Sequence, residues 1–389
     1  MTPHRQESTM TQKTRVVVLG GGYAGVLAAN HLQQQAVDVT LVNARPAFVE
    51  RIRLHQLAVG NDDAVAGYDD LLHADVRLLV DHAQRIDTAT RRVEVASGTA
   101  LDYDYLIYAV GSTSGAAPEF AYRIAELEDS QALAARLQDV PAAAPIVVVG
   151  GGLTGIEAAS EFAEAGRSVT LVTGPVLGPS LSVPGRRSVA RQLAKLGVSV
   201  IEGPTVTAVT AHDVTLSDGR VLESAATVWT AGFGVPALAA DSGLRTDALG
   251  RLLTDETLTS VDDDRVIAAG DAAAPSGVPL RMSCQAALPL GAQAANTVLA
   301  RIAGSAPAPI NQAFTGQCIS IGRDGGTIQL ARTDDTPIRV YLGGRTAALV
   351  KEQVCKGTLS FLRKEAAKPG AYFWLKGGKR ARRIELARA

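Results

Sequence analysis

The chain is poor in aromatic residues, at 4%, and has only three cysteines in 389 positions. With so few rings, a core drawn from its 47% apolar residues must be mainly Ala, Val, Leu and Ile. Cys284, Cys318 and Cys355 form no C-x-x-C pair and no metal-ligand spacing. A disulfide scaffold is therefore excluded, and a reducing compartment is expected. The six histidines join no cysteine or carboxylate in a ligand pattern, so no metal is expected. No apolar run reaches the ~18 residues a membrane-spanning helix needs. Residues 1–14 read as a polar leader without the apolar stretch of a signal peptide. These absences point to a cytoplasmic protein whose membrane contact, where it has any, is peripheral and on the inner face. An excess of one charge is also missing, since the formal net charge is −1. That balance hides an asymmetry. From Lys351 onward there are 11 basic and 3 acidic residues, a local charge of +8 that leaves −9 on the remainder.

What the chain does have is a sentence written twice. Val17-Val18-Leu19-Gly20-Gly21-Gly22-Tyr23-Ala24-Gly25 returns 130 residues later as Val147-Val148-Val149-Gly150-Gly151-Gly152-Leu153-Thr154-Gly155. The echo stays in register through Ala28-Ala29 and Ala158-Ala159, then Val39–Val42 and Val169–Val172. Each copy reads as buried strand, G-x-G-x-x-G turn, helix and second strand, the order of a dinucleotide-binding unit. The first glycine permits the turn, the second admits a pyrophosphate, and the third lets helix and strand pack closely. The helix N-terminus then stabilises the phosphate charge. One such motif is weak evidence; two in register imply one bound redox cofactor and one exchanging nicotinamide.

The expected fold is α/β, with two Rossmann-like units, the second inserted in the first, and a small α+β C-terminal region. The first unit is expected over residues 15–131 and 252–305 and the second over 132–251, with Pro141–Pro145 as a linker. Residues 306–389 read as short strands followed by a basic, aromatic tail. A helix is expected over Cys284–Ile302, and the apolar strand Val266–Ala269 meets Gly270-Asp271.

This order resembles the two-dinucleotide-binding-domain flavoproteins, the pyridine nucleotide–disulfide oxidoreductase superfamily. Ala109-Val110-Gly111, Thr230-Ala231-Gly232 and Val266–Asp271 stand where that superfamily has its further turns, and the resemblance covers about residues 15–305. It implies that Gly20, Gly22, Tyr23, Ala24, Gly25, Asn43, Ala44, Arg45, Arg51, Ala83, Ala109, Gly111, Gly270 and Asp271 serve FAD. It likewise implies that Gly150, Gly152, Leu153, Thr154, Gly155, Thr173 and Gly232 serve NADH or NADPH. Disulfide reduction is not expected. The stretch Phe48–Gln56 and residues 146–250 contain no cysteine to relay electrons from a flavin.

The remaining resemblance is to the type II NADH dehydrogenase branch, including ferroptosis-suppressor-like quinone reductases. Gly150–Glu157 resembles its glycine turn followed by a carboxylate, and Ser283-Cys284-Gln285-Ala286-Ala287 its flavin-side segment. Catalytic roles are expected for Glu157, as a proton relay or gate, and for Gln285, as a hydrogen-bond partner of a quinone. The bland alternatives are a first-turn acid favoured by the helix dipole and a polar helix residue. His55 and Arg51 follow the ribose strand and read equally as flavin neighbours or as surface ion pairs. Asn43 and Thr173 stand where the superfamily prefers an acid. At Thr173 this removes repulsion against a 2′-phosphate, so NADPH is expected to be tolerated beside NADH. The tail, with Tyr372-Phe373-Trp374-Leu375-Lys376, suits an anionic membrane surface or a second subunit in a homodimer. No nucleic-acid module accompanies its charge. The function expected is NAD(P)H:quinone oxidoreduction through FAD. A ferredoxin or rubredoxin reductase, or an NADH-responsive interaction protein like apoptosis-inducing factor, are the competing readings.

Overall fold

A run of consecutive β-branched residues, buried on both faces, starts the fold. In the computed structural model, which describes residues 13–388, Arg15–Leu19 is a strand with Val16 to Leu19 all buried. A strand covered on both sides has no need of polar alternation, which explains its unbroken apolar sequence. It pairs in parallel with Asp38–Asn43 on one side and Tyr105–Tyr108 on the other. Val76–Val80 and Val266–Ala268 extend this sheet to five parallel strands. The expected leader lies, apart from Lys13 and Thr14, outside the described residues.

A second five-stranded parallel sheet repeats the plan. Pro145–Val149 sits between Ser168–Gly174 and Ala226–Trp229, with Ser199–Glu202 and Ala121–Arg123 at the edges. Each unit also carries a three-stranded antiparallel sheet, formed by Ala83–Asp87, Arg92–Val95 and Ala100–Asp102 in the first. In the second it is formed by Val206–Val209, Asp213–Leu216 and Val221–Glu223. The sequence echo is therefore an echo of architecture.

The chain crosses between the units on an antiparallel pair of two-residue strands, Thr113–Ser114 and Phe233–Gly234. Both passages come earlier than the expected boundaries at 131/132 and 251/252. Ala121–Arg123 already belongs to the second sheet, while Leu238, Ala239 and Leu244 already pack in the first core. The Ala/Pro segment that suggested the first boundary is only the turn between helix Leu127–Asp139 and strand Pro145–Val149.

The C-terminal region joins the two units. Gly316–Ile321, Gly325–Ala331 and Pro337–Gly343 form an antiparallel sheet whose Ile319 and Ile321 pack in the second core. The basic stretch that follows is not an extended tail. It begins inside a 23-residue helix, Arg345–Ala367, whose Leu362 enters the first core. Its end is fastened by Glu365, which bonds His31 Nδ1 at 2.6 Å and accepts the Gly370 and Tyr372 N–H groups, each at 2.6 Å. A last helix spans Arg380–Arg388. Among the described residues no helix is long and apolar enough to cross a membrane.

Candidate active site

The two glycine turns open on one continuous cleft of about 2220 Å³ that runs between the units and under the C-terminal helix. Such a space exceeds the roughly 300–1,000 Å³ of a drug-sized pocket and suits extended ligands. In each turn the three glycines do different work. A Cβ on Gly20 would meet the Ala109 carbonyl, and one on Gly25 would strike the Gly20 carbonyl. In the second turn a Cβ on Gly150 would meet Thr230 Oγ1, and one on Gly155 the Gly150 carbonyl. The middle glycines, Gly22 and Gly152, have nothing within 4 Å of an added Cβ and face the cleft. Each is also the cap of its helix (Tyr23–Leu32 or Leu153–Glu164), and neither helix has a side-chain cap or a first-turn acid. Two free, uncompensated helix N-termini thus face one space, each with its partial positive charge intact. This arrangement fits the pyrophosphate of a dinucleotide at either end.

At the first turn, Asn43 Oδ1 accepts the Gly21 N–H at 2.9 Å and its amide donates to the Arg45 carbonyl at 2.8 Å. Tyr68 donates to the Gly21 carbonyl at 2.8 Å. Arg45 is held by Glu128 at 2.6 Å, which with burial opposing keeps its guanidinium above the ordinary arginine range. Farther along, Arg51 Nη1 donates to the Ser112 carbonyl at 2.7 Å and to its hydroxyl at 3.0 Å. Ser112 in turn donates to Asp271 at 2.7 Å. Burial raises the Asp271 carboxyl despite that bond. Asp271 lines the cleft as an acceptor of the kind a sugar-alcohol hydroxyl needs.

At the centre of the cleft lies a buried ion pair. Lys351, from the C-terminal helix, places Nζ 3.0 Å from Glu157 Oε1, and both residues line the cleft. The Ser320 N–H and hydroxyl also donate to Glu157 Oε1, at 3.1 and 3.2 Å. Burial disfavours the Glu157 carboxylate, but Lys351 outweighs it and holds the acid below its ordinary range. Burial likewise opposes the Lys351 ammonium, and Glu157 keeps it above the ordinary lysine range. Gln285 stands nearby with both ends of its amide engaged. Its oxygen accepts from Arg281 at 3.2 Å and its nitrogen donates to Thr315 at 2.8 Å.

Seventeen of the residues expected in the site line the cleft: Gly20, Gly22, Tyr23, Ala24, Asn43, Ala44, Arg45, Arg51, Ala83, Ala109, Gly111, Asp271, Gly152, Leu153, Thr154, Glu157 and Gln285. Gly25, Gly150 and Gly155 instead stand behind it in close packing with the turns, and Gly270 packs against the Ala24 side chain; Gly232 lies beside the crossing strand and does not line the cleft. Thr173 is turned away from the cleft; its hydroxyl donates to the Gly174 and Ile201 carbonyls at 3.0 and 3.2 Å. Sequence reasoning missed Lys351, which it counted only as one charge of a tail, and Ser320. Neither carries a local signal, because each meets Glu157 only through tertiary packing.

With this geometry in view, similarity to known proteins becomes informative. Residues 14–294 match the family of pyridine nucleotide-disulphide oxidoreductases. The chain belongs to that family. An NADH dehydrogenase-like protein of Mycobacterium tuberculosis is 33% identical over 321 residues, covering 74% of this chain and 80% of that one. A type II NADH:quinone oxidoreductase of the same organism is 29% identical, covering 79% and 77%. The fold matches that of NDH2 from Plasmodium falciparum in complex with NADH, at a TM-score of 0.77 and 14% identity, covering 94% of this chain and all of that one. As a member of this family the chain is a pyridine-nucleotide oxidoreductase.

Proposed function

We propose that the protein is a type II NADH:quinone oxidoreductase. The observation that carries the reading is the cleft itself. Two glycine-turn helices without side-chain caps face it, the Glu157–Lys351 pair lines it, and one wall is apolar and open to the surface. Bound flavin would supply the hydride-accepting chemistry that no side chain of the protein can provide. The Gly21–Ala24 backbone would hold its pyrophosphate, Asn43 its adenosine end, and Asp271 its ribityl chain. Gly152, Leu153 and Thr154 would hold the nicotinamide cofactor. Glu157 would hold and pass a proton at Oε1, with Lys351 fixing that oxygen and Ser320 sharing it. Gln285, pinned by Arg281 and Thr315, would present its amide edge to the acceptor.

NADH is the donor in this reading, and Thr173, whose backbone stands beside the Gly151 turn with its hydroxyl directed away, places no carboxylate there to repel the 2′-phosphate of NADPH. The apolar wall is the entrance for a hydrophobic quinone. Leu349 (68% exposed), Phe361 (40%), Phe373 (70%) and Leu375 (58%) crowd the mouth of the cleft. Lys356 and Lys376 flank these residues in the sequence, and the basic helix Arg380–Arg388 follows. An apolar patch rimmed by positive charge suits an anionic membrane surface, which places the mouth where the quinone dissolves. Docking there is peripheral. Initial-rate kinetics with NADH and a soluble quinone test the reading: parallel double-reciprocal lines are expected. A protein that oxidises NADH with one-electron protein acceptors but with no quinone would overturn it.

A further inference from the structure

The same helix that carries Glu157 buries a second acid one turn later. Glu161 has no exposed surface, and its Oε2 accepts from Asn61 Nδ2 at 2.9 Å. Its Oε1 has no hydrogen-bond partner. That oxygen faces the His55 imidazole, with Nε2 at 4.0 Å, and the Arg323 guanidinium, with Nη1 at 3.8 Å. The Arg323 side chain is 45% exposed, so it joins the buried acid to water. On the inner side, His55 Nε2 lies 3.4 Å from Ser320 Oγ, which bonds Glu157 Oε1 at 3.2 Å. A row of polar groups therefore runs from the surface at Arg323 to Glu157 at the cleft.

Nothing in the fold requires this row. A buried carboxyl with one oxygen free of hydrogen bonds and a buried imidazole both cost stability, and apolar residues would fill the space at lower cost. Reduction of a quinone by NADH, however, consumes one proton from solvent per turnover. We infer that His55 and Glu161 form the outer arm of a proton supply, taking protons from water beside Arg323 and passing them through the Ser320 hydroxyl to Glu157. This inference rests on the quinone-reductase reading. At each step one O–H or N–H bond breaks as the next forms. A proton passed by the Ser320 hydroxyl to the resting Glu157 carboxylate goes on to the reduced acceptor, and one from solvent at Glu161 replaces it, with no other reactant. The groups around Glu161 are suited to the task. Burial raises its carboxyl to about 7, with Asn61 and Arg323 opposing and Glu164 and Glu157 adding to the rise. Burial lowers His55 to about 4, so the ring is neutral and able to accept and release in turn.

The test uses flavin-loaded, full-length protein and two variants, Glu161→Gln and Ser320→Ala. Each is bleached anaerobically by NADH and then mixed with a soluble quinone from about pH 6 to about pH 9, with and without imidazole as an external proton donor. Re-oxidation is expected to slow about tenfold or more in both variants at the alkaline end, and to recover with imidazole. Bleaching serves as the internal reference, because NADH delivers its hydrogen as hydride. A second readout needs no cofactor. Since the folded Glu161 carboxyl is raised to about 7 from 4.5, its contribution to stability is full below 4.5 and lost as pH rises through 7. The Tm of the apoprotein should show that decline in wild type and Ser320→Ala but not in Glu161→Gln. Wild-type re-oxidation rates in both variants at every pH would overturn the inference. So would a uniform loss that imidazole does not repair. A wild-type protein that no quinone re-oxidises would refute the quinone-reductase reading and this inference with it, whereas unaffected variants of an active enzyme refute the inference alone.

Discussion

Replacing Lys351 with methionine removes the ammonium 3.0 Å from Glu157 Oε1 while keeping most of the side chain's apolar stem. Both partners are enclosed: their side chains are 13% and 11% exposed. Breaking such a pair leaves one buried charge without its counter-ion, a loss of about 3–5 kcal/mol. Here the Ser320 N–H and hydroxyl remain on Glu157, so the lower end of about 3 kcal/mol is expected. That corresponds to a fall in Tm of roughly 4 °C for a chain of this length. The sign of the pH dependence separates this cause from simple loss of packing. In wild type the Glu157 carboxyl is held below 4.5, so its contribution is present above 4.5 and lost as pH falls through the lower folded value. In the variant, burial without Lys351 raises the carboxyl, so the destabilisation must shrink as pH falls and Glu157 takes up a proton. The double variant Lys351→Met with Glu157→Gln should recover about half or more of the lost stability. Thermal denaturation of the three proteins from pH 5 to pH 8 is the assay. Equal destabilisation of single and double variants, with no dependence on pH, would refute the reasoning.

Other predictions follow from the same geometry. Gly22→Ala should leave the apoprotein's Tm nearly unchanged while weakening FAD retention, because the added Cβ meets no protein atom within 4 Å and enters the cleft. Gly25→Ala should cost roughly 3 kcal/mol, since its Cβ strikes the Gly20 carbonyl; equal effects of the two on folding would contradict the assignment. Thr173→Asp, which places an acid at the end of the second strand, should raise the NADH-to-NADPH ratio of kcat/KM by about tenfold, or roughly 1.4 kcal/mol. An unchanged ratio would place the ribose elsewhere. Phe373→Ser with Leu375→Ser, which removes two of the most exposed apolar side chains at the mouth, should abolish flotation with anionic liposomes. Flotation equal to wild type would remove the membrane from the account.

The parts legible in sequence were those whose signal is local. A strand, a glycine turn and a helix follow one another within about twenty residues, so both dinucleotide units could be read directly. The helix Cys284–Ile302 was equally plain from its Ala-rich run, and Ser283 caps it by accepting the Ala286 N–H. The crossing between the units was not legible. The three-residue strand Ala121–Arg123 has too little pattern to outweigh the visible Ala/Pro segment that follows. Nor was the helix Arg345–Ala367, where basic residues and Gly357 obscure an apolar stripe that the cleft and first core make evident. The catalytic neighbourhood suffered most from this. Glu157 could be singled out from its place after a glycine turn, but Lys351, Ser320 and His55 come from three other segments. Only packing brings them within reach of its helix.

The most direct test of the central claim is anaerobic stopped-flow on the yellow protein, following the flavin band after mixing with NADH and then with a soluble quinone. The account predicts two separable phases, fast bleaching by NADH and fast re-oxidation by quinone. In Glu157→Gln, the second should slow while the first is retained. A reduced protein that persists in the presence of quinone, or a Glu157→Gln variant re-oxidised as fast as wild type, would contradict it.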